Sequence, residues 1–167
     1  NFIKKATLGG LMAVSIPEII SASAMPSEMK KISLNKDNVI LFQGDSITDS
    51  GRNKEDGSFN NSGALGSGYP MLAGATLLEK YASMNLKVYN RGVSGNKVFE
   101  LAERWDKDCL DIKPDILSIL IGVNDIWHKL EGNYNGTVEI FRNDYIALLE
   151  RTKKALPNIK LIICGPF

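Results

Sequence analysis

The stretch Val39-Ile40-Leu41-Phe42-Gln43-Gly44-Asp45-Ser46-Ile47-Thr48 decides how this chain is interpreted. Its first four residues form a continuous apolar run, which predicts a buried strand. The strand stops at Gly44, where the backbone can turn sharply without a Cβ clash, and the chain then presents Ser46. A rigid strand end followed by a serine holds a hydroxyl in a fixed place, as a nucleophile requires. Because Gly, Asp, Ser and Thr are common turn residues, the stretch also fits an ordinary strand-to-loop turn.

Composition and charge restrict the classes of function. The 167 residues are enough for one domain with a hydrophobic core, and 44% apolar with 23% charged residues is ordinary for a globular protein. The net charge of +1 gives no field that would attract nucleic acid or an acidic membrane, so we expect neither as a partner. Cys109 and Cys164 lack metal-ligand spacing to a histidine or to each other, so no metal site is expected.

Residues 1–24 resemble an export signal. Two lysines precede an apolar segment at 6–16, and the small residues 21–24 end in an A-x-A pattern, which is the order of a secretory signal. The apolar segment is too short to span a bilayer, and residues 1–4 resemble the tail of a twin-arginine export motif. We therefore expect a periplasmic or extracellular protein whose mature domain starts near Met25. An amphipathic N-terminal helix of the domain is the alternative.

Strand patterns alternate with helical patterns along the rest of the chain. Strands are predicted at 39–42, 86–89, 116–121 and 161–164, and helices at 69–77, 98–105 and 141–156. Three of the strands are near-continuous apolar runs, typical of parallel strands that are covered on both faces. The order predicts an α/β fold with a flavodoxin-like, doubly wound parallel sheet. Segment 51–68, rich in Gly, Asn and Ser, is predicted to be a mobile loop over the site.

Clusters of polar residues and glycine follow the first three predicted strands. Ser46 comes after the first strand, Gly92 after the second and Asn124 after the third. Because the carboxyl ends of parallel strands meet at one edge of the sheet, these residues are expected to surround one small space. Acyl transfer needs a nucleophile together with N–H donors that are aimed at the developing oxyanion. The sequence therefore predicts an acyl-transfer site at this edge.

With these blocks in order, the chain resembles an SGNH hydrolase of the GDSL esterase superfamily. The matching blocks are Gly44-Asp45-Ser46-Ile47-Thr48, the cluster that contains Gly92, and Gly122-Val123-Asn124-Asp125. The resemblance covers 39–167 and implies the SGNH hydrolase fold, with Ser46 as the nucleophile. It also implies an oxyanion hole formed by the Ser46 N–H, the Gly92 N–H and the Asn124 side chain, with no cofactor or metal. The absence of G-x-S-x-G argues against the ordinary α/β-hydrolase elbow.

The wider pattern at 43–52, with Trp127 after the third block, resembles bacterial members of the superfamily that act on acylated carbohydrates. This resemblance implies an esterase that removes short acyl groups, such as acetyl, from a small-molecule or polysaccharide ester. Asp49, Trp127 and His128 are then the candidate contacts to substrate. Hydrolysis of lysophospholipids or thioesters is the alternative within the same class of reaction.

The family's fourth block is an Asp-x-x-His near the C-terminus, which supplies the base and the acid that orients it. No such block follows the fourth predicted strand before Phe167. We therefore expect 25–167 to be a partial SGNH hydrolase domain, with the C-terminal strand and helix, and the catalytic His and Asp, missing. The open edge at 161–164 then predicts self-association. A carbohydrate-binding pseudo-hydrolase without a base is the alternative, whereas a nucleotide-binding protein is disfavoured because no phosphate loop is present.

Overall fold

The computed structural model describes residues 32–165, so the export-like segment at 1–24 lies outside the described residues. Four parallel strands form one sheet with the order β2-β1-β3-β4. The strands are β1 (Val39–Gly44), β2 (Lys87–Asn90), β3 (Ile116–Leu120) and β4 (Lys160–Cys164). Each of the four predicted strands is confirmed, with its ends shifted by no more than two residues. The α/β fold and its flavodoxin-like sheet order are therefore as the sequence predicts.

Within residues 32–165, six α-helices connect and flank the strands. They are α1 (Ser46–Asp49), α2 (Ser62–Leu65), α3 (Tyr69–Lys80), α4 (Val98–Glu103), α5 (Val123–Leu130) and α6 (Val138–Ala155), with a 3₁₀ turn at Ala82–Met84 and a π-helical turn at Asp106–Leu110. The three predicted helices correspond to α3, to α4 with the two residues that follow it, and to α6, and the π-helical turn was not predicted. Helices α1, α2 and α5 were not predicted, since two of them are a single turn and the third begins in a polar cluster.

The strand order reverses between β1 and β3. The chain passes from β1 to β2 at one edge and then returns across β1 to β3, and β4 pairs with β3. In register, Gly44 of β1 lies opposite Leu120 of β3, so both strands end at the same level. This reversal is the topological switch point, where open α/β sheets bind their ligands. The residues that follow β1 and β3 therefore flank the expected site.

A rigid core supports this edge of the sheet. The apolar side chains of β1 and β3 are almost fully buried, and α4 packs against α6 over the sheet. Trp105, two residues after the end of α4, is fully buried, and its indole N–H donates to the hydroxyl of Thr152 in α6 at 2.9 Å. A buried indole that finds a partner contributes both area and a satisfied hydrogen bond. This contact fixes α4 in place. The loop that precedes α4, residues 91–97, is therefore anchored at its C-terminal end.

Segment 51–68 is attached to the outer edge of β2 through Asn60, while residues 53–63 are largely exposed, and its predicted mobility stays a prediction. It contains α2, whose N-cap is Asn61. The Asn60 N–H donates to the carbonyl of Val88 at 3.0 Å, its side chain accepts from the Val88 N–H at 2.8 Å, and its amide donates to the carbonyl of Leu86 at 2.8 Å. Asn60 thereby satisfies the backbone groups of an edge strand that otherwise invites pairing with another chain.

At the opposite edge, β4 pairs with β3 and with no other strand of the described residues. Ile162 and Ile163 of β4 are 40% and 41% exposed, which is high for apolar residues in a strand. Within 32–165, no helix is both long and apolar enough to cross a membrane.

Candidate active site

Ser46 is the first residue of α1, at the turn that follows β1. The carboxylate of Asp45 caps this helix by accepting a hydrogen bond from the Ile47 N–H at 3.0 Å. Asp45 is fully buried, whereas Ser46 is exposed. Burial raises the pKa of Asp45, and the hydrogen bond from Ile47 opposes that rise. The buried cap therefore fixes the turn and leaves the serine hydroxyl at the surface.

Gly92 packs directly against α1. A Cβ at this position would lie 2.7 Å from the carbonyl carbon of Thr48 and would collide with the backbone nitrogen of Asp49, so only glycine fits. Its N–H donates to Oδ1 of Asn90 at 2.8 Å, and its carbonyl accepts from Nε of Arg52 at 2.8 Å. Both backbone groups are occupied inside the fold. This pattern argues against the predicted role of the Gly92 N–H in an oxyanion hole, and the residue instead permits close packing.

Gly95, three residues further on, has the properties expected of an oxyanion donor. It is exposed and has a φ of 85°, and a Cβ on it would meet no atom within 4 Å. In the described part of the chain, no hydrogen bond from its N–H is found. Its neighbours are fixed on both sides: the Ser94 N–H donates to Oδ2 of Asp49 at 2.9 Å, and the Asn96 carbonyl accepts from Asn124 at 3.1 Å. Sequence reasoning missed Gly95 because the partners that distinguish it from Gly92 are not visible in a motif.

Asn124 lies in the first turn of α5 and is half-buried. Gly122 precedes the helix with a φ of 128°, a conformation that favours glycine, and so turns the chain at the end of β3. The Asn124 amide donates one hydrogen to the carbonyl of Asn96 at 3.1 Å. A primary amide carries two N–H groups, and no second acceptor is found among residues 32–165. The side chain is therefore held beside Gly95 with a donor to spare.

The buried side chain of Asp49 connects α1 to two loops. Its side chain accepts from the N–H and the hydroxyl of Ser94 at 2.9 and 2.8 Å, and it pairs with Nζ of Lys54 at 2.9 Å. Burial raises the pKa of this carboxyl, but the hydrogen bonds from Lys54 and Ser94 outweigh burial and hold the pKa below its usual value. Asp49 is 1% exposed, which argues against the predicted contact with substrate. It ties α1 to the loop that carries Gly95.

Trp127 and His128 lie on α5, beyond Asn124. Trp127 is 59% exposed, and its indole N–H donates to the carboxylate of Glu131 one turn later. His128 is half-buried and lies close enough to Glu100 to affect that carboxyl. Burial raises the pKa of Glu100, but Lys97 and, more weakly, His128 outweigh it and lower the pKa. Trp127 thus remains available at the surface, whereas His128 is partly covered.

Sequence reasoning also missed one Asp-x-x-His spacing, from Asp125 to His128, because it overlaps the third block. The Asp125 carboxylate faces the Val98 N–H at the start of α4, at 3.3 and 3.4 Å from its two oxygens. Burial raises the pKa of Asp125 to about 6, against the opposing hydrogen bond from Val98. In the described residues, no hydrogen bond joins Asp125 to His128. The pair is therefore not arranged as an acid–base relay.

The acidic, histidine and cysteine side chains of 32–165 form no group of three or more that could hold a metal ion. Both cysteines are free thiols, and Cys109 is buried. Burial raises the pKa of Cys109 to about 12, so this thiol stays protonated at neutral pH. The groups brought together at the carboxyl ends of the strands are instead a hydroxyl and N–H donors.

A four-stranded parallel sheet in the order β2-β1-β3-β4, with a serine at the first strand end, has the fold of the SGNH hydrolases. The chain belongs to the GDSL-like lipase/acylhydrolase family, whose family model matches residues 42–167. The relatives match between 77% and 82% of this chain. Members of this family are acyl hydrolases, so the chain is part of an ester-hydrolase family.

Three relatives illustrate the similarity. An acetylxylan esterase of Geobacillus stearothermophilus is 37% identical over 77% of this chain and 59% of its own length. The crystal structure of a GDSL-like lipase candidate from Parabacteroides merdae has a TM-score of 0.80 at 55% identity, over 82% of this chain and 63% of that one. A crystal structure of an acetylxylan esterase from G. stearothermophilus has a TM-score of 0.73 at 33% identity, over 81% and 63%. The chain thus spans about 60% of the length of these relatives.

Further structures of the Geobacillus acetylxylan esterase are described as catalytic mutants. In them a serine, an aspartate and a histidine are each replaced by alanine, and the histidine lies three positions after the aspartate in that protein.

Proposed function

We propose that this chain carries the nucleophile and the oxyanion hole of a serine ester hydrolase that removes short acyl groups, above all acetyl, from carbohydrate. The observation that carries the proposal is the exposed Ser46 at the switch point, together with two N–H donors on the neighbouring strand ends for which the described residues provide no partner. The donors are the Gly95 N–H and the second amide hydrogen of Asn124. The similarity to an acetylxylan esterase supports acetyl and carbohydrate as the two halves of the ester.

In the first step, Oγ of Ser46 attacks the ester carbonyl and loses its proton to a base. The carbonyl oxygen becomes an oxyanion, which accepts hydrogen bonds from the N–H groups of Ser46 and Gly95 and from the Asn124 amide. Donors that are already oriented stabilise this charge without reorganising, and such stabilisation commonly contributes more to acyl-transfer catalysis than any other single effect. We propose Gly95 in place of Gly92 for this role because the Gly92 N–H is engaged by Asn90.

The base is proposed to be a histidine of the whole protein that lies outside residues 1–167, oriented by an aspartate three positions before it. The catalytic mutants of the Geobacillus enzyme support this assignment. The tetrahedral intermediate then collapses: the bond between the acyl carbon and the sugar oxygen breaks, the protonated base gives its proton to that oxygen, and the acyl group stays on Ser46. Water then attacks the acyl-enzyme, the base takes its proton, and the acid leaves with Ser46 restored.

Trp127 is proposed to contact the sugar. Its exposed indole offers a large flat apolar surface with one polar edge, the type of surface that packs on the C–H face of a pyranose ring. His128 lies next to it on α5 and is proposed to border the same surface. Substrate is thus expected to lie across the start of α5, with its ester over Ser46.

The proposal is tested by hydrolysis assays on the full-length protein. The substrates are acetylated xylo-oligosaccharide, an aryl acetate, a lysophospholipid and an acyl thioester. We expect turnover of the two acetyl esters, and loss of at least about a thousandfold in kcat for Ser46→Ala. Ser58→Ala, which removes an exposed hydroxyl from segment 51–68, is the matched control and should retain full activity.

The same assays separate the alternatives. Faster turnover of the lysophospholipid or thioester would replace the acetylesterase assignment with an acyl hydrolase of that type. Binding of the oligosaccharide without Ser46-dependent turnover would replace it with a carbohydrate-binding pseudo-hydrolase.

Export is proposed from residues 1–24, whose charge, apolar segment and small residues follow the order of a signal. Cell fractionation of the full-length protein in its own host tests this assignment. We expect the protein outside the cytoplasmic fraction, and its recovery in the cytoplasm would contradict the proposal.

A further inference from the structure

Arg104 directly follows α4, and its side chain is only 17% exposed. All three guanidinium nitrogens donate hydrogen bonds. Nε donates to Oδ1 of Asn96 at 2.7 Å, Nη2 donates to the carbonyl of Gly44 at 3.2 Å, and Nη1 lies 2.7 Å from the carbonyl of Arg91, 3.1 Å from Oε1 of Gln43 and 3.0 Å from Oδ2 of Asp108. Charge-assisted bonds of this kind are roughly twice as strong as neutral ones.

Three of these acceptors, on Gln43, Gly44 and Arg91, lie at the ends of β1 and β2. Gly44 ends β1 two residues before Ser46, and its carbonyl also accepts from the Val93 N–H at 3.0 Å. Arg91 follows β2, and its carbonyl lies at the start of the loop that contains Gly95. One buried cation therefore holds the carboxyl ends of both strands at a fixed separation.

The same cation reaches the third strand end through Asn96. The side-chain oxygen of Asn96 accepts from Arg104, while its backbone carbonyl accepts from the Asn124 amide at 3.1 Å. The loop residue after Gly95 is thus held between Arg104 and Asn124. A shift of Arg104 would move Gly95 relative to both Ser46 and Asn124.

The chemistry of these contacts requires arginine. A guanidinium is planar and presents its N–H groups in a rigid fork, whereas an ammonium is a compact charge on a flexible stem. Burial lowers the pKa of Arg104, and the neighbouring Asp108 opposes that effect. The ordinary pKa of arginine lies far above neutral pH, so the side chain stays charged in proteins. Lysine at this position would keep the charge and lose the fork.

We propose that Arg104 is a positioning residue, which fixes the Ser46 turn and the Gly95 N–H relative to each other without contacting substrate. This inference rests on the proposed esterase function. Since the contacts act on the nucleophile and the oxyanion donors, loss of the guanidinium should reduce kcat and leave KM nearly unchanged.

The kinetic test compares Arg104→Lys and Arg104→Ala with Arg151→Lys in the full-length protein. Arg151 is the matched control, because it donates to the Ala102 carbonyl of α4 and pairs with Asp106, away from the strand ends. For an aryl acetate, we expect kcat to fall about tenfold to a hundredfold in both Arg104 variants, with KM within about threefold of the wild type. Added guanidinium should restore part of the kcat of Arg104→Ala. Unchanged kcat, or a change in KM alone, would overturn the proposal.

A second readout needs no activity. Amide hydrogen exchange in the full-length protein should accelerate in peptides that cover 44–49 and 91–97 of Arg104→Lys, and not in those of Arg151→Lys. Equal acceleration throughout the domain would mean a general loss of stability and would overturn the positioning role. If the wild type hydrolyses no ester, the proposed function fails, and hydrogen exchange alone decides whether Arg104 fixes the two loops.

Discussion

At the scale of single residues, two glycines three positions apart have different roles. Gly92 has no space for a Cβ, which would lie 2.8 Å from Cβ of Thr48 and collide with the nitrogen of Asp49. Gly95 has open space and a positive φ of 85°. The motif alone presents them as equivalent backbone donors, and only their hydrogen bonds separate a packing glycine from a donor glycine.

This difference predicts opposite outcomes for alanine substitution. Gly92→Ala should lower the free energy of unfolding by about 3 kcal/mol, because neither the strand end nor α1 can give way. Gly95→Ala should cost only about 1 kcal/mol, the strain of a left-handed residue with a side chain. Urea unfolding of both variants measures the two values. Equal losses would contradict the assignment of Gly92 to packing.

Asp125 makes stability depend on pH. Its pKa is raised from 3.8 to about 6 by burial, so the folded state binds the proton more tightly than the unfolded state does. The stabilisation from this proton is complete below about pH 4 and is lost as the pH rises through about 6. A shift of this size corresponds to about 3 kcal/mol in full, of which about 2 kcal/mol falls between pH 4 and pH 7. Asp125→Asn, which cannot titrate, should remove that loss.

The measurement is urea unfolding of wild type and Asp125→Asn at pH 4 and pH 7. The wild type should lose about 2 kcal/mol more than the variant between the two values. The other carboxyl groups titrate in both proteins and cancel in the comparison. An identical pH dependence in the two proteins would contradict a raised pKa of Asp125.

At the scale of elements, the sequence predicts those strands and helices whose positions follow from the pattern of apolar residues. The apolar runs at 39–42 and 116–121 identify β1 and β3, since strands covered on both faces carry few polar residues. Helix α5 was not predicted because it begins in the polar third block, although its apolar residues Ile126, Trp127 and Leu130, which are exposed, have helical spacing. The attachment of segment 51–68 to β2 was not predicted, because it depends on hydrogen bonds from Asn60, which composition does not reveal.

Asn60 is therefore expected to stabilise the edge of β2. Asn60→Ala removes two side-chain hydrogen bonds to the strand and places alanine at a φ of 57°, so it should destabilise the fold by about 2–3 kcal/mol. Hydrogen exchange at the Val88 amide should accelerate at the same time. Asn60→Gly tolerates the backbone conformation and separates strain from bonding, and a stable Asn60→Ala would contradict the edge-capping role.

At the scale of the whole molecule, the two edges of the sheet differ. The β2 edge is covered by segment 51–68, whereas β4 exposes Ile162 and Ile163 and pairs with β3 alone among the described strands. Long apolar edges favour association with other strands. The 167-residue chain in isolation should therefore self-associate, and Ile162→Lys with Ile163→Lys should reduce this association. Light scattering after gel filtration measures the effect, and a monomeric wild-type chain would contradict the prediction.

The candidate site residues lie at the carboxyl ends of the strands, where a doubly wound parallel sheet is expected to bind its ligand. Ser46, Gly95 and Asn124 each follow a different strand, and hydrogen bonds through Asp49 and Asn96 connect them. The SGNH fold and the nucleophile candidate follow from the sequence blocks. The identity of the second donor does not, because it depends on which backbone N–H groups the fold has already used.

The most direct test of the account is covalent labelling of the full-length protein with an aryl phosphonate ester, followed by mass spectrometry. Such reagents react with serines that are activated for acyl transfer. We predict one phosphonate for each chain, located on Ser46, with no labelling in Ser46→Ala and normal labelling in Ser58→Ala. Undiminished labelling of Ser46→Ala, or no labelling of the wild type, would contradict a serine esterase built on Ser46.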